Sequence, residues 1–153
     1  MRRIDILAGG REERELDGLA RRHLERLPWP ATLATVPAPR GPGGAARRSF
    51  ARRMLARIPD DALVVALDER GAQWTSRELA RRLEEWMAAG PPVIFVIGDA
   101  EGLPQEVLAR AAVRWSLSKL TFPHALVRLL VAEQLFRATS ILAGHPYHRE
   151  SRA

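Results

Sequence analysis

The sequence predicts an α/β fold, a parallel sheet covered by helices, and two observations carry that expectation. Short apolar runs at residues 4–8, 31–36, 62–67 and 93–97 alternate with longer amphipathic stretches, the rhythm of repeated β-α-β units. The run Val93-Ile94-Phe95-Val96-Ile97 is apolar throughout, as a strand covered on both faces must be. A length of 153 residues fits a single domain over 1–153, able to bury a core without disulfides or metal.

Each element follows from local pattern. Residues 4–8 read as the first strand. Residues 12–27 form a helix with Leu16, Leu19, Ala20, His23, Leu24 and Leu27 on one face, ended by Pro28 and Pro30. The second strand, 31–36, alternates Thr32, Ala34 and Val36 against Leu33 and Thr35. Residues 37–44 are rich in proline and glycine and predict a loop. A very basic helix follows over 45–58, with Arg47, Arg48, Arg52, Arg53 and Arg57. After the strand 62–67, Asp68-Glu69-Arg70-Gly71 is expected to turn the chain. Thr75, three residues before Glu78, predicts a capped helix start, and Gly90-Pro91-Pro92 ends that helix after about Ala88. Beyond the 93–97 strand, Pro104 falls in the first residues of a short helix over 103–112. Residues 114–118 form a short strand, and Pro123 opens a last helix to about Ala143.

That last helix is too apolar for one buried face. Leu126, Val127, Leu129, Leu130, Val131, Leu135, Phe136, Ile141 and Leu142 nearly encircle it. It must be covered on more than one side, and part of the cover is expected to be a second subunit.

Composition narrows the function classes. With 24 basic and 18 acidic side chains the formal charge is +6, which favours a polyanionic partner, most commonly nucleic acid. Lys119 is the only lysine. The absence of cysteine excludes a disulfide framework, a cysteine nucleophile and a thiolate metal site, and fits a cytoplasmic protein. No acid–histidine cluster has metal-ligand spacing, so no metal is expected. The start, Met1 to Ala8, gives way to Gly9-Gly10-Arg11-Glu12-Glu13 before a leader could form, and Arg128 interrupts the longest apolar stretch, so no membrane association is expected.

Four groups of residues could carry chemistry. The 93–97 strand runs into Gly98-Asp99-Ala100-Glu101-Gly102-Leu103-Pro104, at the edge where α/β folds bind ligands; an ordinary strand-to-helix turn reads the same way. It is neither a dinucleotide fingerprint nor a Walker loop. Ser116-Leu117-Ser118-Lys119-Leu120-Thr121-Phe122-Pro123-His124 has the same layout, with helix capping by Thr121 or a neighbour as its structural reading. Glu133 and Arg137 form an i, i+4 pair on the apolar last helix, either a structural pair or part of a cleft wall. Finally, Pro146-Tyr147-His148-Arg149 gathers the only tyrosine and one of four histidines in a tail that is otherwise a solvated end. His23, on a helix face, reads as structural.

Together these motifs resemble a known family. Leu67-Asp68-Glu69-Arg70-Gly71, Phe95-Val96-Ile97-Gly98, Glu101-Gly102-Leu103, Ser116-Leu117-Ser118, Thr121-Phe122-Pro123-His124, Glu133-Gln134-Leu135-Phe136-Arg137-Ala138 and Pro146-Tyr147-His148-Arg149 occur in the order and spacing of the ribosomal RNA large subunit methyltransferase H family, pseudouridine N3-methyltransferases of the SPOUT superfamily. The resemblance is dense from Leu63 to Glu150. It implies a SPOUT-type, Rossmann-like parallel sheet with a C-terminal trefoil knot, a homodimer, and S-adenosylmethionine as cofactor. It further implies methylation of N3 of a pseudouridine in helix 69 of large-subunit rRNA, on assembled ribosomes. Carried over by motif, cofactor contacts fall at Leu67, Gly98, Leu117, Ser118, Lys119, Leu120, Thr121 and Phe122. Tyr147, His148 and Arg149 would act on the nucleotide, with His148 the first candidate for a base and His124 and Glu133 behind it.

Two departures from the family pattern stand out. Asp99 takes the place of a second glycine, where its carboxylate would either contact the cofactor or face solvent. Phe136 replaces a tyrosine. The rival reading is a catalytically silent RNA-binding or ribosome-assembly protein on the same scaffold; intact cofactor loops beside Pro146-Tyr147-His148-Arg149 argue against it, because a pure binder needs neither.

Overall fold

A computed structural model describes residues 2–41 and 43–149; Met1, Pro42 of the expected loop, and residues 150–153, including Glu150 at the end of the matched motifs, lie outside the described residues. Strands and helices alternate as β1 (Ile4–Gly9), α1 (Arg14–Glu25), β2 (Ala31–Val36), α2 (Gly44–Leu55), β3 (Leu63–Ala72), α3 (Ser76–Ala89), β4 (Val93–Ile97), α4 (Gln105–Arg110), β5 (Val113–Trp115) and α5 (His124–Leu142). All pairings are parallel, in the order β2-β1-β4-β3-β5. The uniformly apolar run is therefore the middle strand, and all five of its residues are buried. Alternation sends Val93, Phe95 and Ile97 to one face and Ile94 and Val96 to the other, where Phe50, Met54 and Val107 of α2 and α4 meet them.

The first face carries α1, α5 and α3, with α5 packed against both of the others. This explains most of its apolar girth: Val131, Ala132, Leu135, Phe136 and Ala138 are buried within one chain. Ala125, Leu126, Leu129 and Leu130, nearer its start, stay partly exposed. The start of α3 is the expected capping box, with Glu78 N–H donating to Thr75 Oγ1 at 3.1 Å and Thr75 N–H to the Glu78 carboxylate at 3.2 Å. No helix among the described residues is long and apolar enough to cross a membrane.

Several boundaries differ from expectation for identifiable reasons. The acidic stretch after residue 67 does not turn the chain; β3 continues to Ala72 through an irregularity at which both Leu67 and Ala72 align with Trp115. Gly71 permits it, since a Cβ there would lie 2.5 Å from the Arg114 carbonyl carbon. Residues 114–118 shorten to the three-residue β5, and Ser116 N–H pairs instead with the Ala72 carbonyl. Pro104 and Pro123 are the caps preceding α4 and α5 rather than residues inside them. In β2 the expected alternation holds: Ala31 and Leu33 join one helix layer and Ala34 and Val36 the other, although on this edge strand only Leu33 and Val36 are fully buried.

Candidate functional site

A cleft of about 530 Å³ opens at the carboxyl ends of β3, β4 and β5. Its walls are residues 67–70 in the second half of β3, the exit of β4 over 97–103 and the exit of β5 over 115–122, with His124 and Val127 of α5 closing one side. Parallel strands place their free carbonyl ends and following loops on one edge, so segments far apart in sequence converge there. Of the residues expected to hold a cofactor, Leu67, Gly98, Leu117, Ser118, Leu120, Thr121 and Phe122 line this cleft, and Lys119 does not. Leu67, Leu103, Trp115, Leu117 and Phe122 supply apolar surface, while Asp68, Glu69 and Glu101 share the wall with Arg70 and Arg114. That mixture suits a ligand with an apolar ring system and a charged end.

The loop after β4 is held tightly. Gly102 N–H donates to the Asp99 carbonyl at 2.9 Å, folding the segment back on itself. A Cβ on Gly98 would lie 2.3 Å from the Gly102 carbonyl carbon and 2.5 Å from Leu103 N, so only glycine fits. Asp99 lines the cleft, and its largely buried carboxylate is paired within the protein rather than facing solvent. Arg47 donates to its carboxylate at 2.8 Å and also to the Gly102 carbonyl, and the Glu101 amide donates to Asp99 at 3.2 Å. The second loop is not a helix cap either: α5 has no side-chain cap, and Ser118 Oγ accepts from Leu120 N–H at 3.0 Å.

Tyr147, His148 and Arg149 lie elsewhere on the same chain. They do not line the cleft. The tail folds onto the middle of α5, where the Tyr147 ring packs edge-on against Phe136 at 4.8 Å and its hydroxyl donates to Glu133 at 3.2 Å. Glu133 also accepts from Arg137 Nη2 at 2.6 Å and from Gln134 at 2.9 Å, so the pair is the structural one and not a cleft wall. Burial, and then the neighbouring Glu133 carboxylate, raise the Tyr147 phenol above its ordinary value, which keeps it a neutral donor. Arg137 Nη1 sits 3.2 Å from His148 Nδ1. A guanidinium can only donate, so Nδ1 is the acceptor and the ring hydrogen belongs on Nε2. In this arrangement His148 presents an N–H outward, and serving as a base requires Arg137 to release it. Arg149 is exposed.

One group of residues behind the cleft escaped sequence reading. Arg128 and Asp17 are both fully buried and paired at 2.9 Å, and Arg128 also donates to the carbonyls of Gly9 and Arg11 at 3.0 Å each. The pair pins the exit of β1 to α5. In sequence Arg128 appears only as a break in an apolar run, and Asp17 as one more charge in an amphipathic helix. No group of acids and histidines among the described residues could hold a metal ion.

Comparison with known proteins agrees with this geometry. The family described as "Predicted SPOUT methyltransferase" matches residues 2–148, which sets the chain in the class of SPOUT methyltransferases. The protein named "Ribosomal RNA large subunit methyltransferase H" from Nitrosococcus oceani is 43% identical over 152 residues, covering 95% of this chain and 97% of that one. Its namesake from Laribacter hongkongensis is 42% identical over 155 residues, covering 97% and 99%. The chain belongs to the ribosomal RNA large subunit methyltransferase H family. Among solved structures, one described as a probable methylase family protein from Haemophilus influenzae superimposes with a TM-score of 0.60 at 16% identity, covering 98% of this chain and 72% of that one, a likeness of fold alone.

Proposed function

We propose that this methyltransferase uses S-adenosylmethionine to methylate N3 of a pseudouridine in helix 69 of large-subunit rRNA, acting on assembled ribosomes as a cytoplasmic homodimer. The carrying observation is the cleft itself: the second half of β3 and the exits of β4 and β5 converge on it in a chain of this family, and seven of the eight expected cofactor residues line it. Apolar walls from Leu67, Trp115, Leu117 and Phe122 suit an adenine, and backbone at Gly98 and Ser118 offers donors and acceptors. When bound, S-adenosylmethionine supplies a methyl group activated by its sulfonium. The chain's own contribution is alignment, because no covalent enzyme intermediate is needed and positioning supplies the rate. The loops after β4 and β5 orient the donor; the nucleotide must be presented opposite, with its N3 proton removed. The trefoil knot that the resemblance implies belongs to this proposal, with the loops after β4 and β5 as its C-terminal part.

The position of the tail supports a composite arrangement. Cleft contact with α5 ends at Val127, and the Glu133 cluster that holds Tyr147 lies about 9 Å further along the helix at 1.5 Å per residue. If Tyr147, His148 and Arg149 act on the nucleotide, a second copy packed on the partly exposed residues near the start of α5 is the simplest way to bring a tail to a cleft. Light scattering at micromolar concentration is expected to give twice 17.1 kDa; a clean monomer would refute the dimer. Replacing Tyr147, His148 and Arg149 together with alanine is expected to leave cofactor affinity within about twofold and to reduce methylation of ribosomes by at least about a hundredfold. Full methylation by that variant would mean that the docked tail is structural. The function as a whole is tested by mass spectrometry of rRNA from cells lacking the protein. Loss of one N3-methyl pseudouridine is expected, and an unchanged modification pattern would overturn the assignment.

A further inference from the structure

The excess positive charge of this chain is concentrated in one segment. Residues 37–59 contain six arginines and no acidic residue, which equals the entire formal charge of +6, so the remainder of the chain is balanced. The structure gives the helix of this segment a definite placement. Phe50, Ala51 and Met54 bury one side of α2 against the sheet, and Arg47 is directed inward to Asp99 and Gly102. Arg48 and Arg52 are exposed on the opposite side, and Arg57 is exposed in the turn just after the helix. Among the described residues the side chains of these three make no hydrogen bond or ion pair, whereas Arg53 donates to the Pro37 carbonyl. A helix that turns one arginine inward to brace a ligand loop, leaves two unneutralised outside and is followed at once by a third has a surface suited to a polyanion.

We infer that the outer face of α2, together with Arg57 in the turn after it, is the docking surface for the phosphate backbone of the RNA substrate, set beside the cleft by the Arg47 bonds to Asp99 and Gly102. This rests on the proposed function for the identity of the RNA. Phosphates fit best: three exposed arginines with no aromatic side chain among them neutralise charge along a backbone, and the planar guanidinium fork matches phosphate oxygens. The surface orients a large RNA relative to the cleft and contributes affinity that falls with salt. It also accounts for Asp99. The carboxylate that replaces a glycine of the family pattern is the anchor for α2, so the cofactor loop and the docking helix are held as one piece.

The test is binding of the full-length protein to purified ribosomes from cells lacking it, followed by sedimentation over a range of salt concentrations, with methyl transfer measured on the same particles. The variant Arg48→Gln/Arg52→Gln/Arg57→Gln leaves Arg47 and Arg53 in place. It is expected to bind roughly 30- to 100-fold more weakly near physiological salt and to lower the slope of log affinity against log salt by about 2–3. Cofactor affinity should be unchanged. A control variant, Arg14→Gln/Arg22→Gln/Arg81→Gln, removes the same charge from exposed positions on α1 and α3 and should lose less than about threefold. Wild-type affinity and slope in the α2 variant would overturn the inference, as would an equal loss in the control. A wild-type protein that binds with this salt dependence yet transfers no methyl to rRNA would overturn the proposed function instead.

Discussion

Replacing Arg128 with methionine is expected to cost the protein about 3–5 kcal/mol, the largest single-residue loss of stability in the fold. The magnitude follows from what stays behind. Asp17, fully buried, would keep only the Glu13 amide at 2.9 Å, and the carbonyls of Gly9 and Arg11 would lose their donor. An uncompensated carboxylate in a dry interior is far more expensive than the lost attraction of the pair. In urea titration the midpoint should fall by about 2 M with an unchanged slope, taking a slope of about 2 kcal/mol/M. The variant Asp17→Leu/Arg128→Met, with no charge left to bury, should recover part of that loss. A single variant that unfolds within about 0.5 M of wild type would show that the pair is solvated in solution.

Gly98→Ala is expected to weaken S-adenosylmethionine binding by about a hundredfold or more while the protein stays folded. A larger side chain at this position would be assumed to act by filling the cofactor's space. The geometry gives another reason, since the first added carbon already meets the backbone of Gly102 and Leu103. Backbone cannot swing aside as a side chain can, so the loop must open, and a displacement of about 1 Å at a binding loop is enough for a loss of that order. The core is spared because Gly98 lies beyond β4, whose five buried residues are untouched. Calorimetry gives the affinity and circular dichroism checks the fold. A folded variant with wild-type affinity would remove this loop from the cofactor site.

Residues whose character depends on their immediate neighbours were legible in the sequence. The apolar run of β4, the Thr75–Glu78 cap and the breaks at Pro28, Pro30 and Gly90 are local patterns with one physical solution each. The cleft loops were legible through the ordered motifs of the family, and the fold brings all but Lys119 to its walls. Pairings across the chain were not legible. Arg47 with Asp99 and Arg128 with Asp17 join residues 52 and 111 positions apart, and no periodicity marks such partners. The extension of β3 was missed for a related reason. Asp68 to Gly71 has the composition of a turn, and only the approach of Arg114 and Trp115 makes a strand of it. The tail looked solvated because its partner, Phe136, lies on a helix whose surplus apolar surface was expected to be covered in part by a second subunit.

The packing of α5 between α1 and α3 has a consequence for the order in which the chain can acquire its structure. The helix that completes the core follows all the other elements of the described residues in chain order, and its partners include the first helix, so the closing contacts span most of them. A growing chain that has not yet produced residues 124–142 lacks Arg128 and the cover over its α1 and α3 faces, leaving Asp17 without its partner. Folding of this unit should therefore wait until α5 has been made and then proceed slowly, since distant contacts carry a large closure entropy. Fragments ending before residue 124 should be sticky, protease-sensitive and dependent on chaperones, even though they contain all five strands.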